Sequence, residues 1–141
     1  MYDRYTPAQP AGLMDFVKAA KSRIRELSPA GLDRMREARS RLLVVDVREA
    51  SEHEQGHIEG ALLVPRGILE AAADPSYPKR HEILACARSR PIVTYCATGG
   101  RSAMAAAVLE MMGFEEVYSL SGGIGAWQEA GLPVVHEARY V

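Results

Sequence analysis

A short apolar run near the end of the first third of the chain limits the fold more than any other sequence feature. Leu42–Val45 is apolar throughout, a pattern typical of a strand buried on both faces of a parallel sheet. Ile92–Tyr95 and Val117–Leu120 are two further candidate strands. Helical stretches lie between the candidate strands. This alternation predicts βα units and a mostly parallel sheet with helices on both faces.

Several helices are predicted around these strands. Apolar residues recur at steps of three and four from residue 13 to 27, which predicts an amphipathic helix followed by a short strand near Leu27. Ser28 and Pro29 resemble an N-cap with proline at the first helical position, so a second helix is expected there. The remaining predicted segments are helices at 51–55, about 81–88, 101–112 and 124–130, a loose arm at 1–12, and an irregular lid or rim at 65–78.

The size and charge of the chain indicate a single domain without a polyanionic partner. With 141 residues it fits one core, and we expect an N-terminal arm and helix in residues 1–27 followed by the main domain in residues 28–141. A net charge of −1 argues against nucleic acid or an anionic membrane as partner. No apolar run approaches the roughly 20 residues of a membrane span and no secretory signal pattern is present, so a cytoplasmic location is expected.

Only two cysteines occur, Cys86 and Cys96. Two cysteines in this spacing form neither a disulfide framework nor a CxxC pair, and no zinc site is expected. Cys86 lies in a helical pattern and is predicted to be a packed helix residue. Cys96 directly follows the candidate strand at 92–95, and the carboxyl ends of strands are where ligands bind in open α/β sheets.

The residues after Cys96 predict a reactive thiol. Gly99 and Gly100 allow the backbone to fold tightly around one point, so that several N–H groups can face a sulfur atom or an anion. The N-terminus of the helix near Arg101 adds partial positive charge at the same place. Such surroundings favour the thiolate, which is the nucleophilic form of cysteine.

Three segments in this order resemble the rhodanese homology domain over about residues 28–135. The first is Asp46-Val47-Arg48-Glu49, with Glu52 and then Gly56-His57-Ile58-Glu59-Gly60-Ala61; the second runs from Cys96 to Arg101 and Ser102; the third is Leu120-Ser121-Gly122-Gly123-Ile124-Gly125-Ala126-Trp127. The resemblance implies a five-stranded parallel sheet flanked by helices, to which this chain adds an N-terminal helix.

The resemblance also implies a double-displacement sulfurtransferase. Cys96 would take the outer sulfur of a small donor such as thiosulfate as a persulfide, and a thiol or cyanide would then remove it. No metal or organic cofactor is required. The cradle for the persulfide or donor would consist of the backbone amides of Ala97, Thr98, Gly99, Gly100 and Arg101.

The length of this loop distinguishes two chemistries in the superfamily. Four residues separate Cys96 from Arg101, as in the sulfurtransferase members, whereas the phosphatase and arsenate reductase members have five. The wider ring of those members suits a tetrahedral phosphate or arsenate. Phosphatase activity is therefore not expected.

Supporting roles are expected for Asp46, Arg48, Arg101 and Ser102. Asp46 would brace the active loop from the end of its strand, and Arg48 would pair with an acid such as Glu52, because buried charges need partners. Arg101 could bind an anionic donor bidentately, or it could fix the loop through contacts with neighbouring carbonyls.

Other residues are given structural or peripheral roles. His57 is expected to be a hydrogen-bonded structural residue, because thiolate attack on sulfane sulfur needs no strong base. Trp127 is expected to pack in the core, and Arg66 could meet an anionic donor at the rim. His53, His81 and His136 are expected at the surface.

Two other functions use the same cysteine. In a sulfur-carrier module, Cys96 would accept sulfur from a relay protein and deliver it to another. In a thiol redox sensor, Cys96 would be oxidised to a sulfenic acid or would form a disulfide with Cys86. That disulfide requires the two Cα atoms to approach within about 7 Å.

Overall fold

Five parallel strands form one sheet in the order β1-β5-β4-β2-β3 in this computed structural model, which describes residues 9–136. The strands are β1 Arg25–Leu27, β2 Leu43–Asp46, β3 Leu62–Leu63, β4 Pro91–Tyr95 and β5 Glu116–Leu120. Seven α-helices are present in the described part of the chain: α1 Leu13–Lys21, α2 Pro29–Ala38, α3 Ala50–Glu54, α4 Leu69–Ala73, α5 Glu82–Ala85, α6 Gly100–Met111 and α7 Gly123–Glu129. The predicted fold class is confirmed.

Helices cover both faces of the sheet, and the core has two sides. One cluster joins Val45 and Ile92 of the sheet to Leu109 of α6 and Leu69 of α4. The opposite cluster joins alternate strand residues to Leu32 of α2 and to Ile124 and Trp127 of α7. Since β2 and β4 carry buried residues on both faces, their apolar runs show no alternation.

The first helix packs against the sixth. Val17 and Ala20 of α1 are buried, whereas Leu13, Met14 and Phe16 are largely exposed. After α1, strand β1 pairs with the edge of β5, so the short strand predicted near Leu27 is present. The predicted division after residue 27 therefore falls at the end of a strand of the sheet.

Local sequence signals explain where several elements begin. The Ser28 side chain accepts a hydrogen bond from the Gly31 amide at 3.0 Å, and Pro29 is the first residue of α2, as predicted. The predicted lid at 65–78 contains a 3₁₀ turn, Arg66–Ile68, and helix α4. Leu69, Ala72 and Ala73 of that segment are buried in the core. Residues 1–8 of the predicted arm lie outside the described residues.

None of the helices within residues 9–136 is long and apolar enough to cross a lipid bilayer.

Candidate active site

Cys96 lies at the carboxyl end of β4, near the middle of the sheet, and is 1% exposed. The start of α7 holds the backbone on both sides of the Cys96–Ala97 peptide. The Ile124 amide donates to the Cys96 carbonyl at 2.9 Å, and the Gly125 amide donates to the Ala97 carbonyl at 3.2 Å. The segments that carry the second and third resemblance motifs are therefore in direct contact.

Glycine at position 123 makes this contact possible. Its φ is +63°, and a Cβ built there would lie 2.5 Å from the carbonyl oxygens of both Cys96 and Ala97. No side chain fits at that distance. The close approach of the α7 turn to the Cys96 loop therefore requires glycine.

The Cys96 sulfur is surrounded by hydrogen-bond donors. Sγ accepts from the Gly99 amide at 3.1 Å and from the Ser102 amide at 3.4 Å, and it lies 3.4 Å from the Ser102 hydroxyl. Burial raises the pKa of this thiol, but the hydrogen bonds from Ser102, Gly99 and Thr98 lower the pKa by more, so it lies below its ordinary value. The site favours a thiolate.

The amides that face the sulfur differ in part from the predicted set. The hydrogen bonds to Sγ come from Thr98 and Gly99 of the predicted cradle and also from Ser102, which was expected only as a support. Ser102 is the third residue of α6, where backbone amides have no acceptor inside the helix. That position is the sequence signal that could have identified it. Its hydroxyl also lies 2.9 Å from the Ser119 hydroxyl on β5.

The side-chain hydrogen bonds of Arg101 among the described residues go to Glu52, not to the neighbouring carbonyls of its predicted structural role. Its guanidinium donates to both carboxylate oxygens of Glu52, at 2.9 and 3.0 Å. The hydrogen bonds from Arg101 lower the pKa of Glu52 to about 2, because their effect exceeds the opposing effect of burial. Glu52 of α3 was predicted as a partner of Arg48. It instead orients Arg101 beside the Cys96 loop.

Arg48 pairs with Asp46, not with Glu52 as predicted. The two side chains form a buried bidentate contact with distances of 3.0 and 2.8 Å. Asp46 also accepts from His53 Nδ1 at 2.8 Å and from the Tyr95 hydroxyl at 3.0 Å. Because Tyr95 directly precedes Cys96, the described contacts connect Asp46 to the active loop through Tyr95.

The histidines near Asp46 are structural in their contacts. His57 Nδ1 lies 2.9 Å from the His53 carbonyl, and the two rings are stacked 3.7 Å apart, in line with the structural role predicted for His57. His53 is fully buried, so its predicted surface position is wrong. Burial lowers the pKa of His53, and its Nδ1 lies 2.8 Å from the Asp46 carboxylate, which accepts a hydrogen bond from it.

A cavity of about 410 Å³ opens over Cys96. Its floor is formed by the loop residues Cys96, Thr98, Gly100 and Arg101. Its outer wall is formed by the N-terminal helix α1 together with Met104 of α6, and the α1 residues that line it are Leu13, Met14, Val17 and Lys21. Sequence reasoning assigned α1 no place at the site, because a helix outside the resembling segments gives no sign of where it packs.

Two other predicted residues lie away from this cavity. Arg66 pairs with Glu70 at 2.8 Å and lines a separate groove beside Phe16 and Arg23. Trp127 is fully buried, as predicted, and its Nε1 donates to the Pro133 carbonyl at 2.8 Å.

The two cysteines lie toward opposite ends of the sheet. Cys86 is exposed and ends α5, so its prediction as a packed helix residue is wrong. Two residues later, the Arg88 carbonyl accepts from the Glu115 amide just before β5 begins, which places this turn at the amino edge. Cys96 follows β4, whose five residues span about 16 Å, well beyond the roughly 7 Å that a disulfide allows.

Comparison with known proteins matches this fold and loop to one family. The family model of the rhodanese-like domain matches residues 28–130. The thiosulfate sulfurtransferase GlpE of Shewanella oneidensis is 37% identical over 109 residues, which cover 77% of this chain and 97% of that protein. The tRNA uridine(34) hydroxylase of Escherichia coli strain SMS-3-5 is 34% identical over 96 residues, covering 65% of this chain and 26% of that longer protein.

A solved structure from Rhodopseudomonas palustris CGA009 is similar over nearly the whole chain. It has a TM-score of 0.82 and 34% identity, and the match covers 92% of this chain and 99% of that one. That protein is of unknown function and is described as a possible tyrosine phosphatase. The similarity to a sulfurtransferase supports a role in sulfur transfer. Because the family model spans more than half of this chain, the chain belongs to the rhodanese-like domain family.

Proposed function

We propose that this chain is a rhodanese-type sulfurtransferase that carries sulfane sulfur on Cys96 as a persulfide. Thiosulfate or a persulfide is the donor, and a thiol or cyanide is the acceptor. One observation carries the proposal: the Cys96 sulfur lies on the floor of a cavity and accepts hydrogen bonds from the Gly99 and Ser102 amides. Such donors stabilise negative charge on sulfur without a metal or an added base.

The first half-reaction needs only the thiolate. Cys96 Sγ attacks the outer sulfur of thiosulfate, the sulfur–sulfur bond of the donor breaks, and the electron pair leaves with sulfite. The charge is −3 before and after the step, and no proton moves. Gly100 and Arg101 begin α6, and their amides, which have no acceptor within the helix, are the groups proposed to face the added sulfur.

The second half-reaction returns the enzyme to its first state. A thiolate or cyanide attacks the outer persulfide sulfur, and the electron pair of the broken bond returns to Cys96. Dividing one transfer into two displacements at the same atom is the advantage of covalent catalysis. The hydrogen bonds to Sγ serve both steps, because Cys96 is the nucleophile in the first and the leaving group in the second.

The position of Arg101 favours sulfur transfer over phosphatase chemistry. Phosphoryl transfer relies on cationic groups that clamp the phosphate oxygens. Here the guanidinium is already held by both carboxylate oxygens of Glu52. Arg101 is proposed to position the loop, and the enzyme is expected not to hydrolyse p-nitrophenyl phosphate.

Intact-mass spectrometry of the reduced protein tests the proposal. After thiosulfate is added, the wild-type chain should gain one sulfur atom, about 32 Da, and lose it when cyanide is added, as covalent transfer requires. Cys96→Ser should gain nothing. Cys86→Ser is the matched control and should behave like the wild-type chain, because Cys86 is exposed and does not line the cavity.

The outcomes separate the competing functions. If the folded wild-type chain gains sulfur only from a persulfidated protein and not from thiosulfate, the carrier function replaces the enzyme. If oxidation yields a sulfenic acid on Cys96 while no donor yields a persulfide, the redox function replaces both.

A further inference from the structure

Most of the outer wall of the Cys96 cavity lies outside the residues that define the family match. That match begins at residue 28, whereas Leu13, Met14, Val17 and Lys21 of the cavity belong to α1. Val17 anchors the helix: it is 5% exposed, and its side chain would lie 3.5 Å from a Cβ at Gly100. Helix α1 is thus fixed directly above the loop that holds Cys96.

The wall is more apolar than an inorganic donor requires. Leu13 and Met14 are 68% and 59% exposed although they line a cavity. Met104 of α6 adds a third flexible apolar side chain. Exposed apolar groups lining a cavity are features of a site that binds an organic ligand.

The size of the cavity supports the same conclusion. Thiosulfate has five heavy atoms and fills roughly 100 Å³, a few times the volume share of one water. The cavity of about 410 Å³ lies in the range that accommodates organic molecules. Much of the space between the Cys96 loop and α1 therefore stays empty when thiosulfate is the donor.

The charges at the rim favour an anion. Lys21 lines the cavity from the last turn of α1. Arg101 lines it from the other side, with its charge shared with Glu52. An ammonium group above an apolar wall suits a molecule with a negative end and an apolar body.

We infer that Leu13 and Met14 of α1, with Met104 of α6, determine donor specificity by favouring a sulfane-sulfur anion with an apolar group, such as an organic thiosulfonate, over thiosulfate. This inference rests on the proposed function. Cys96 Sγ attacks the outer sulfur of the thiosulfonate, its sulfur–sulfur bond breaks, and the electron pair leaves with the sulfinate. The charge is −2 before and after the step, and no proton moves.

The test compares benzenethiosulfonate with thiosulfate as donors, with cyanide as acceptor. In a double displacement, kcat/KM for the donor reports only the first half-reaction. We expect kcat/KM of the wild-type chain to be about 10-fold higher for benzenethiosulfonate than for thiosulfate. The double variant Leu13→Ala/Met14→Ala should lose most of this preference, because it removes several carbon groups that would contact the benzene ring. The value of kcat/KM should fall less for thiosulfate than for benzenethiosulfonate, because a small anion makes few apolar contacts.

Met111→Ala is the matched control. Met111 is 53% exposed, near the value of Met14, and lies on α6 outside the Cys96 cavity. An unchanged donor ratio in Leu13→Ala/Met14→Ala, an equal fall for both donors, or an equal effect of Met111→Ala would overturn the inference. If the wild-type chain forms a persulfide with both donors at equal kcat/KM, the inference fails alone; if it forms one with neither, the proposed function fails too.

Discussion

At the scale of single residues, two opposing effects set the pKa of the Cys96 thiol. Burial disfavours the thiolate, and hydrogen bonds to the sulfur favour it, with the balance toward the thiolate. Ser102 contributes most, because both its hydroxyl and its amide lie 3.4 Å from Sγ. The amide belongs to the backbone and survives substitution, whereas the hydroxyl can be removed.

Ser102→Ala should therefore raise the pKa of Cys96. With the hydroxyl gone, burial is opposed only by backbone amides. At a pH below the raised pKa the thiolate fraction falls, and a shift of about one unit slows its reaction about tenfold. The measurement is the rate of Cys96 alkylation by iodoacetamide against pH, in a Cys86→Ser background so that only one thiol reacts.

Ser121→Ala is the control for this substitution. Ser121 is exposed and follows β5, so its alkylation profile should match that of the parent. If the alkylation rate of Ser102→Ala rises at the same pH as that of the parent, the hydroxyl does not stabilise the thiolate.

The parts of the site that could be predicted are those encoded by neighbouring residues. The strand before Cys96, the glycine turn after it and the next helix follow one another in the sequence. The turn and the position of the thiol could therefore be inferred from the local pattern. Glu52 as the partner of Arg101, and the burial of His53, depend on how α3 packs beside the loop. Such contacts join residues far apart in sequence, and no local spacing encodes them.

At the scale of elements, the glycine turn before α7 holds the Cys96 loop in place. The loop carbonyls accept hydrogen bonds from α7, and Gly123 allows the close approach of the two segments.

The predicted strands and helices of four or more residues were largely found, with ends shifted by a few residues. The two-residue strand β3 was not located from the sequence, because Leu62–Leu63 is too short to show a periodic pattern.

Gly123→Ala should destabilise the fold by about 3 kcal/mol, since it adds a steric overlap to an unfavourable backbone conformation. The free energy of urea-induced unfolding measures this loss.

Gly131→Ala separates the two causes. Gly131 has a similar positive φ of +78°, but a Cβ there meets nothing within 4 Å. It should therefore cost only the backbone penalty, about 1 kcal/mol. Equal losses in the two variants would mean that the contact between α7 and the Cys96 loop is not tight.

At the scale of the whole molecule, a buried polar network joins β2, α3 and β4. Asp46 is its centre and receives hydrogen bonds from Arg48, His53 and Tyr95. Burial raises the pKa of Asp46, but the hydrogen bonds from Arg48 and His53 lower the pKa by more, so it lies below its ordinary value. The stability of the fold should consequently depend on pH.

Asp46→Asn should lower the free energy of unfolding by about 3 kcal/mol at pH 7, because it leaves Arg48 buried without its counter-charge. A carboxylate with a lowered folded pKa contributes its full stabilisation above its unfolded pKa, about 3.9, and loses it as pH falls through the folded value. The difference between wild type and variant should hence narrow below about pH 4. Urea unfolding at a series of pH values measures it.

Glu70→Gln is the matched control for an ion pair at the surface. The Glu70 side chain of the Arg66–Glu70 pair is 55% exposed, so loss of the pair should cost no more than about 0.5 kcal/mol. A comparable effect of the two substitutions at pH 7 would contradict a special role for the Asp46 network.

The pairing of β1 with β5 has a consequence for the order in which the protein forms during synthesis. Arg25–Leu27 can join the sheet only after residues 118–120 exist, and the Cys96 loop receives its α7 hydrogen bonds only from residues 124 and 125. Contacts between distant parts of a chain form late. A ribosome-bound chain thus carries Cys96 before residues 124 and 125 can hold the backbone of its loop, so the loop is fully braced only in the finished molecule.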